Sequence, residues 1–153
     1  MTTYHIITLW AQALAADEDL NNWVAAHCPA PLTIFVGMDT AQEPGRETAP
    51  YIAMHPTGDM LGPEAEAHRY GVCIYLGLET TAEPATTGAV ITQQGLRLME
   101  QEFAPRVMRC LAATEYPPLT GEGITHLLRA GYCERDINVT YSEDTVLGET
   151  GWG

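Results

Sequence analysis

A chain of 153 residues, 46% of them apolar, is long enough to enclose one hydrophobic core without a disulfide or a metal to staple it. Its charge is lopsided: twenty Asp and Glu stand against seven basic residues, all of them arginine, for a formal net charge of −13. The absence of lysine excludes a P-loop lysine, a Schiff-base lysine and a lysine-rich phosphate patch, and a surface this acidic is not expected to bind nucleic acid sequence-specifically.

The chain opens with a helical period. Ile6, Leu9, Trp10, Ala13 and Leu14 share one face, and Leu20, Trp23, Val24 and His27 continue it. Thr2 or Thr3 is suited to cap the start. Asp17-Glu18-Asp19 falls between the halves, where acidic residues favour a new helix N-terminus, so one bent helix or two consecutive helices satisfy the pattern. Pro29 and Pro31 end it.

Leu32–Met38 is β-branched and aromatic, a predicted strand. Residues 39–50 carry Pro44-Gly45 and read as turn, followed by a short strand over Tyr51–His55, a loop over 56–68 and the longest strand, Arg69–Glu79. Within that strand the even positions, Tyr70 to Leu78, form the more continuous apolar face and are pointed at a helix layer. Residues 80–89 read as a mobile connection. Leu96, Met99, Phe103, Val107 and Leu111 then recur at helical spacing, with Pro105 expected to kink or divide the helix. Ile124, Leu127 and Leu128 suggest a short helix closed by Gly131, and Ile137–Tyr141 a last strand. Residues 142–153 read as a flexible acidic tail.

These elements predict a single α+β domain over 1–153, with one antiparallel sheet of about four strands, helices packed on one face and the order α-β-β-β-α-β. No run approaches the roughly 18 apolar residues of a membrane span. The first apolar stretch is broken by His5, Thr8 and Gln12 and has no basic flank, so neither a membrane partner nor a targeting segment is expected. The four cysteines, Cys28, Cys73, Cys110 and Cys133, form no CxxC pair and read as free thiols, most of them core hydrophobes.

Chemistry is sparse. The sharpest metal candidate is His55 with His68, helped by Asp59, Glu64 or Glu66 around one loop, yet no HExxH or cysteine-pair spacing accompanies it. His27-Cys28 is adjacent in sequence but poorly placed for a thiolate pair at a helix end. His126 is expected to cap or pack on its short helix, and His5 has no implied partner. Ser142, the one serine, is the only residue on which a serine hydrolase could be built. Arg69, Arg97, Arg106, Arg109, Arg129 and Arg135 read as ion-pair partners of the surplus acids, with Arg106 and Arg109 able to share a helix face. Trp10 and Trp23 read as core, and Trp152 as either a loose tail residue or an anchor that docks on another subunit. No catalytic, cofactor or metal residue is assigned.

Several segments together resemble phage or prophage tail-assembly proteins, the tail terminator and head-tail completion group. They are Leu9-Trp10 through Asp19-Leu20-Asn21-Asn22-Trp23, Thr33–Asp39, Pro50–Pro56, Tyr70-Gly71-Val72 and Ile137–Tyr141, spanning residues 4–141. The resemblance lies in element order and implies a non-enzymatic protein that forms a ring, often hexameric, capping the tail tube or meeting the head connector. Homo-oligomerisation, contacts to tail-tube and connector proteins, and passage from host cytoplasm to virion tail are the matching expectations, with intersubunit contacts placed on loops 39–50, 56–68 and 80–89. The residues alone leave two other classes open. One is an acidic adaptor covering a basic protein partner, the other a small metal-dependent enzyme using His55 and His68.

Overall fold

The computed structural model describes residues 1–39, 41–61, 67–128 and 131–144. Two helices come first, α1 (Thr3–Ala16) and α2 (Glu18–His27). The Thr2 hydroxyl accepts from the His5 amide at 3.1 Å and so caps α1. Asp17 serves both helices. It ends α1 and caps α2, its carboxylate accepting from the Leu20 amide at 2.8 Å. The Asn21 side-chain amide reaches back to the carbonyls of Leu14, Ala15 and Asp17, tying the end of α1 to the start of α2. The acidic triplet therefore marks a joint between two helices.

Five strands form the main sheet: β1 (Thr33–Val36), β2 (Tyr51–Met60), β3 (Ala67–Glu79), β6 (Leu119–Leu127) and β7 (Tyr132–Asp144), in the order β1-β2-β3-β7-β6. All neighbours are antiparallel except β1 and β2, which are parallel. The fold is α+β, but the expected four-stranded, all-antiparallel sheet is corrected on both counts. A parallel partner requires a crossover, and the chain from Gly37 to Pro50, including a 3₁₀ turn at Arg46–Thr48, supplies it. A small second sheet pairs β4 (Ala85–Thr87) with β5 (Val90–Thr92). This hairpin occupies what reads in sequence as a mobile connection.

Residues 56–60 likewise extend β2, so only part of the predicted 56–68 loop lies outside strands among the described residues. Ile124, Leu127 and Leu128 do not form a helix; the first two lie on β6. Residues 142–144 of the expected flexible tail complete β7; residues 145–153, and with them Trp152, lie outside the described residues.

Between the two sheets' strands runs an interrupted helix: α3 (Gln94–Leu98), a π turn over Met99–Phe103, and α4 (Ala104–Ala112). Pro105 has no amide to donate four residues back, and the turn before it widens so that the Ala104 amide bonds the Met99 carbonyl. The extra residue rotates the preceding turn. Leu98 joins Met99, Phe103, Val107 and Leu111 in the core, and Leu96 is turned out, 40% exposed.

All the helices lie against one face of the sheet. Trp10, Leu14, Leu20 and Trp23 meet Phe103, Val107 and Leu111 over Ile52, Met54 and the even residues of β3. Tyr70, Val72, Ile74, Leu76 and Leu78 are all essentially closed to solvent, as their alternation predicts. The opposite face has a smaller cluster, Ala49, Tyr51 and Tyr132 with Phe35 and Tyr75 packed against it. Here the Tyr51 ring lies across Gly77, whose missing side chain leaves it room: a β-carbon there would meet the ring at 2.0 Å. Among the described residues no helix is long and apolar enough to cross a membrane.

Candidate assembly surface

β6 pairs with β7 along one side, and its other side pairs with no strand among the described residues. An open edge presents a row of backbone donors and acceptors to any strand that approaches. Several exposed side chains on and beside this strand are apolar. Leu119 is 68% exposed, and Ile124, Leu127 and Leu128 are exposed beside it. Glu122 is the sole acid of the strand. The β4–β5 hairpin adds Val90 and Ile91, 62% and 64% exposed, on β5. In a chain of net charge −13, this concentration of bare aliphatic side chains stands apart.

A groove of about 870 Å³ runs between this edge and the interrupted helix, lined by Thr92, Leu96, Arg97, Glu100, Gly123, Thr125 and Arg135 among others. Its polar side chains are tied together. Arg135 donates to Thr125 at 2.6 Å and to Glu100 at 3.1 Å, and the Thr125 hydroxyl bonds the same Glu100 carboxylate. Arg97 donates to Gln94 and, at 2.8 Å, to Glu102. The bonds engage the edges of both guanidinium groups, so the groove is set rather than collapsed. A second cavity of about 590 Å³ opens at the base of the hairpin, between Thr80–Pro84, Gln93–Gly95, Leu127, Leu128 and Gly131. Gly131 is required there: its φ is +81°, and a β-carbon would meet the Thr80 carbonyl at 2.2 Å.

A third cavity, about 240 Å³, lies on the face away from the helices, where the crossover segment passes over the sheet; Met38, Glu43, Pro44, Tyr51, Tyr75, Glu134 and Asp136 line it. The Tyr51 and Tyr132 hydroxyls are 2.8 Å apart, and Tyr132 donates to Glu134 at 2.6 Å. Burial pushes the Tyr51 hydroxyl up to about 12, and burial with the Glu134 contact raises Tyr132 further. Asp136 is raised too, first by burial, then by Glu134 and Glu43 nearby, with His126 opposing. Each of these groups binds its proton more tightly than the free side chain does.

The residues singled out in the sequence are dispersed. His55 lies beside Cys73 on the outer face, its Nδ1 accepting from the Met38 amide at 3.2 Å. His68 lies further along β3 and, by strand alternation, on the helix-covered side, its Nδ1 4.0 Å from Glu143. Asp59 sits opposite Tyr70, also on that side. The two histidines proposed for a metal therefore point to opposite faces; Glu64 and Glu66 lie outside the described residues. Among the described residues no group of three or more His, Cys, Asp or Glu side chains is arranged to hold a metal.

His27 stacks on Trp23 with ring centroids 4.5 Å apart, while burial pushes the neighbouring Cys28 thiol up to about 11, the reverse of an activated thiolate. All four cysteines are free, Cys73 and Cys133 buried and the other two half-buried. His5 does have a partner, the Tyr116 hydroxyl at 3.2 Å. His126 is on exposed β6 opposite Glu134, not on a helix. Ser142 lies exposed on β7. Arg106 and Arg109 share a helix face as expected, and both meet Asp19. Arg129 is outside the described residues. In the segment 39–50, Ala49 and Pro50 are buried on the chain's own sheet and Arg46 pairs with Glu79, while residues 41–43, 46 and 47 are exposed.

What the sequence reading missed is the apolar edge itself. A signal existed for the hairpin: Thr86-Thr87 and Val90-Ile91 flank a two-residue Gly88-Ala89 loop, a β-hairpin pattern. No model of a known protein family matches the chain, and no curated protein matches it.

Proposed function

We propose that the protein is a structural component of a phage or prophage tail, assembling into a ring that terminates the tail tube or joins it to the head, with no catalysis of its own. The observation that carries this reading is the open edge of β6 with its exposed Leu119, Ile124 and Leu127, continued by Val90 and Ile91 on the hairpin. A free edge ringed by aliphatic side chains is suited to a protein neighbour. Because that edge lies at one side of the sheet and β1 at the other, contact between unlike surfaces of successive copies is heterologous, and a heterologous contact closes into a ring when its rotation permits. The charge suits such a ring, since an acidic lining lets DNA pass without retaining its phosphates. In this reading the protein works in the host cytoplasm and leaves in the virion.

Size exclusion with light scattering, from dilute to concentrated protein, tests it. A discrete closed oligomer supports the ring; a strict monomer at every concentration counts against it. A second reading, an adaptor for a basic protein, draws on the outer cavity with Glu43, Glu134 and Asp136. It requires salt-sensitive capture of a cationic protein without self-assembly.

A further inference from the structure

We infer that the guanidinium of Arg69 from one copy enters the carboxylate-lined cavity on the outer sheet face of a second copy. The inference rests on the assembly reading above and names one contact that holds neighbouring copies together.

Three observations carry it. The first is the donor. Among the described residues every other arginine is paired: Arg46 with Glu79, Arg97 with Glu102, Arg106 and Arg109 with Asp19, and Arg135 with Glu100. Arg69 is exposed and has no such partner among the described residues. By the register, Met60 and Ser142 stand directly across from it, and neither carries charge. Strand alternation places it on the outer face with the other odd residues of β3, Tyr75 among them. The second is the acceptor. The cavity of about 240 Å³ gathers Glu43 from the crossover with Glu134 and Asp136 from β7, and no cation lines it. Glu134 accepts from Tyr132 and Tyr51, whereas Glu43 and Asp136 accept no hydrogen bond among the described residues. Among those residues no group of carboxylates is arranged to hold a metal ion, so a broader cation suits the space. A guanidinium spreads its donors over a plane and also stacks on aromatic rings, and Tyr51 and Tyr75 wall this cavity.

The third observation is distance. Arg69 and Tyr75 lie on one strand, about 20 Å apart at the rise of a strand, which exceeds the length of an arginine side chain. Arg69 therefore cannot fill the cavity of its own chain. Between copies it can, and both halves of the contact are already present on this one sequence. Donor and acceptor are separate places on the face away from the helices. Each copy can thus give its arginine to one neighbour and take that of another, the head-to-tail pattern of a ring.

The test uses the full chain in a light-scattering concentration series, with the wild type, Arg69→Ala, Asp136→Asn and the double variant. Arg69→Ala should weaken self-association by about 30-fold in dissociation constant, the effect of removing one partner of a desolvated charge pair. Its melting temperature in dilute protein should not change, because the side chain is exposed. Asp136→Asn should also weaken association, yet raise the urea midpoint of the dilute protein at pH 7, so a loss of contact is not mistaken for a loss of fold. The double variant should assemble no worse than Arg69→Ala. Substitutions this far apart in one chain are expected to add, so non-additivity reports a contact between copies. If the wild type assembles and Arg69→Ala assembles equally well, the inference is overturned while the ring reading stands. The same holds if Asp136→Asn leaves association unchanged, or if the two losses add. A wild type that stays monomeric at every concentration sinks both.

Discussion

On one face of the sheet a carboxylate is surrounded by donors; on the other, carboxylates crowd together. Glu102, in the helix layer, accepts from the Trp23 indole at 2.9 Å and from Arg97 at 2.8 Å. The indole bond first, and Arg97 with it, holds its carboxyl below the usual range. Asp136, beneath the crossover segment, is raised instead, because it loses solvent and gains Glu134 and Glu43 as neighbours. The helix face combines an aliphatic core with a rim of ion pairs, whereas the outer cavity gathers Glu43, Glu134 and Asp136 with tyrosine hydroxyls and no arginine in its lining.

Substitutions can break or sharpen this contrast. The largest effect should come from Phe103→Ala, which empties a fully buried site stacked on Trp23 and should cost about 3–5 kcal/mol in urea unfolding. A loss below about 1 kcal/mol would mean that the helix layer is not the core. Gly77→Ala, on the outer face, forces Tyr51 off its seat and should cost about 1–3 kcal/mol by the same measurement. Asp17→Ala removes the cap of α2 and should cost about 1 kcal/mol, read as a lower melting temperature.

The two acids should separate by pH. Glu102 has a lowered folded pKa, so its stabilisation is present above the unfolded carboxylate value and is lost as pH falls through the folded one. Glu102→Gln should therefore flatten the acid limb of the urea midpoint. Asp136 has the opposite sign: its raised folded pKa makes ionisation unfavourable to folding, and protonation relieves this as pH falls. Asp136→Asn should stabilise the protein at pH 7 and not at pH 3, and the reverse order would refute the assignment of the two faces. Smallest of all, Ile124→Ala on the open edge should shift unfolding by less than about 0.5 kcal/mol, since about half of its surface is open to solvent.

Strands buried on one face announce themselves by alternation, which is why Tyr70 to Leu78 could be read with the correct side inward. The joint at Asp17 and the interruption before Pro105 were equally legible, because each rests on a local requirement, a cap and a missing amide. β6 was not. Its exposed residues have no strand beyond them among the described residues, so no alternating buried stripe marks it, and Ile124, Leu127 and Leu128 fall by spacing into a helical pattern. The parallel β1–β2 pair was hidden because parallel pairing is decided by where the crossover lands, not by either strand's composition. For the same reason the apolar edge escaped notice: exposure depends on tertiary placement, and a run of Leu and Ile reads as core until its neighbours are known.

The position of β7 between β3 and β6 also governs the route by which the chain reaches this arrangement. β6 and β7 are joined by a short connection, so that hairpin forms from local contacts, as does the unit of β1, β2 and β3. The seam between β3 and β7 has to wait until the whole segment from Thr80 to Gly131, a hairpin and a broken helix, has been looped out. Two half-sheets thus meet along one long-range seam, and closing that loop is the largest chain-entropy cost of building the sheet.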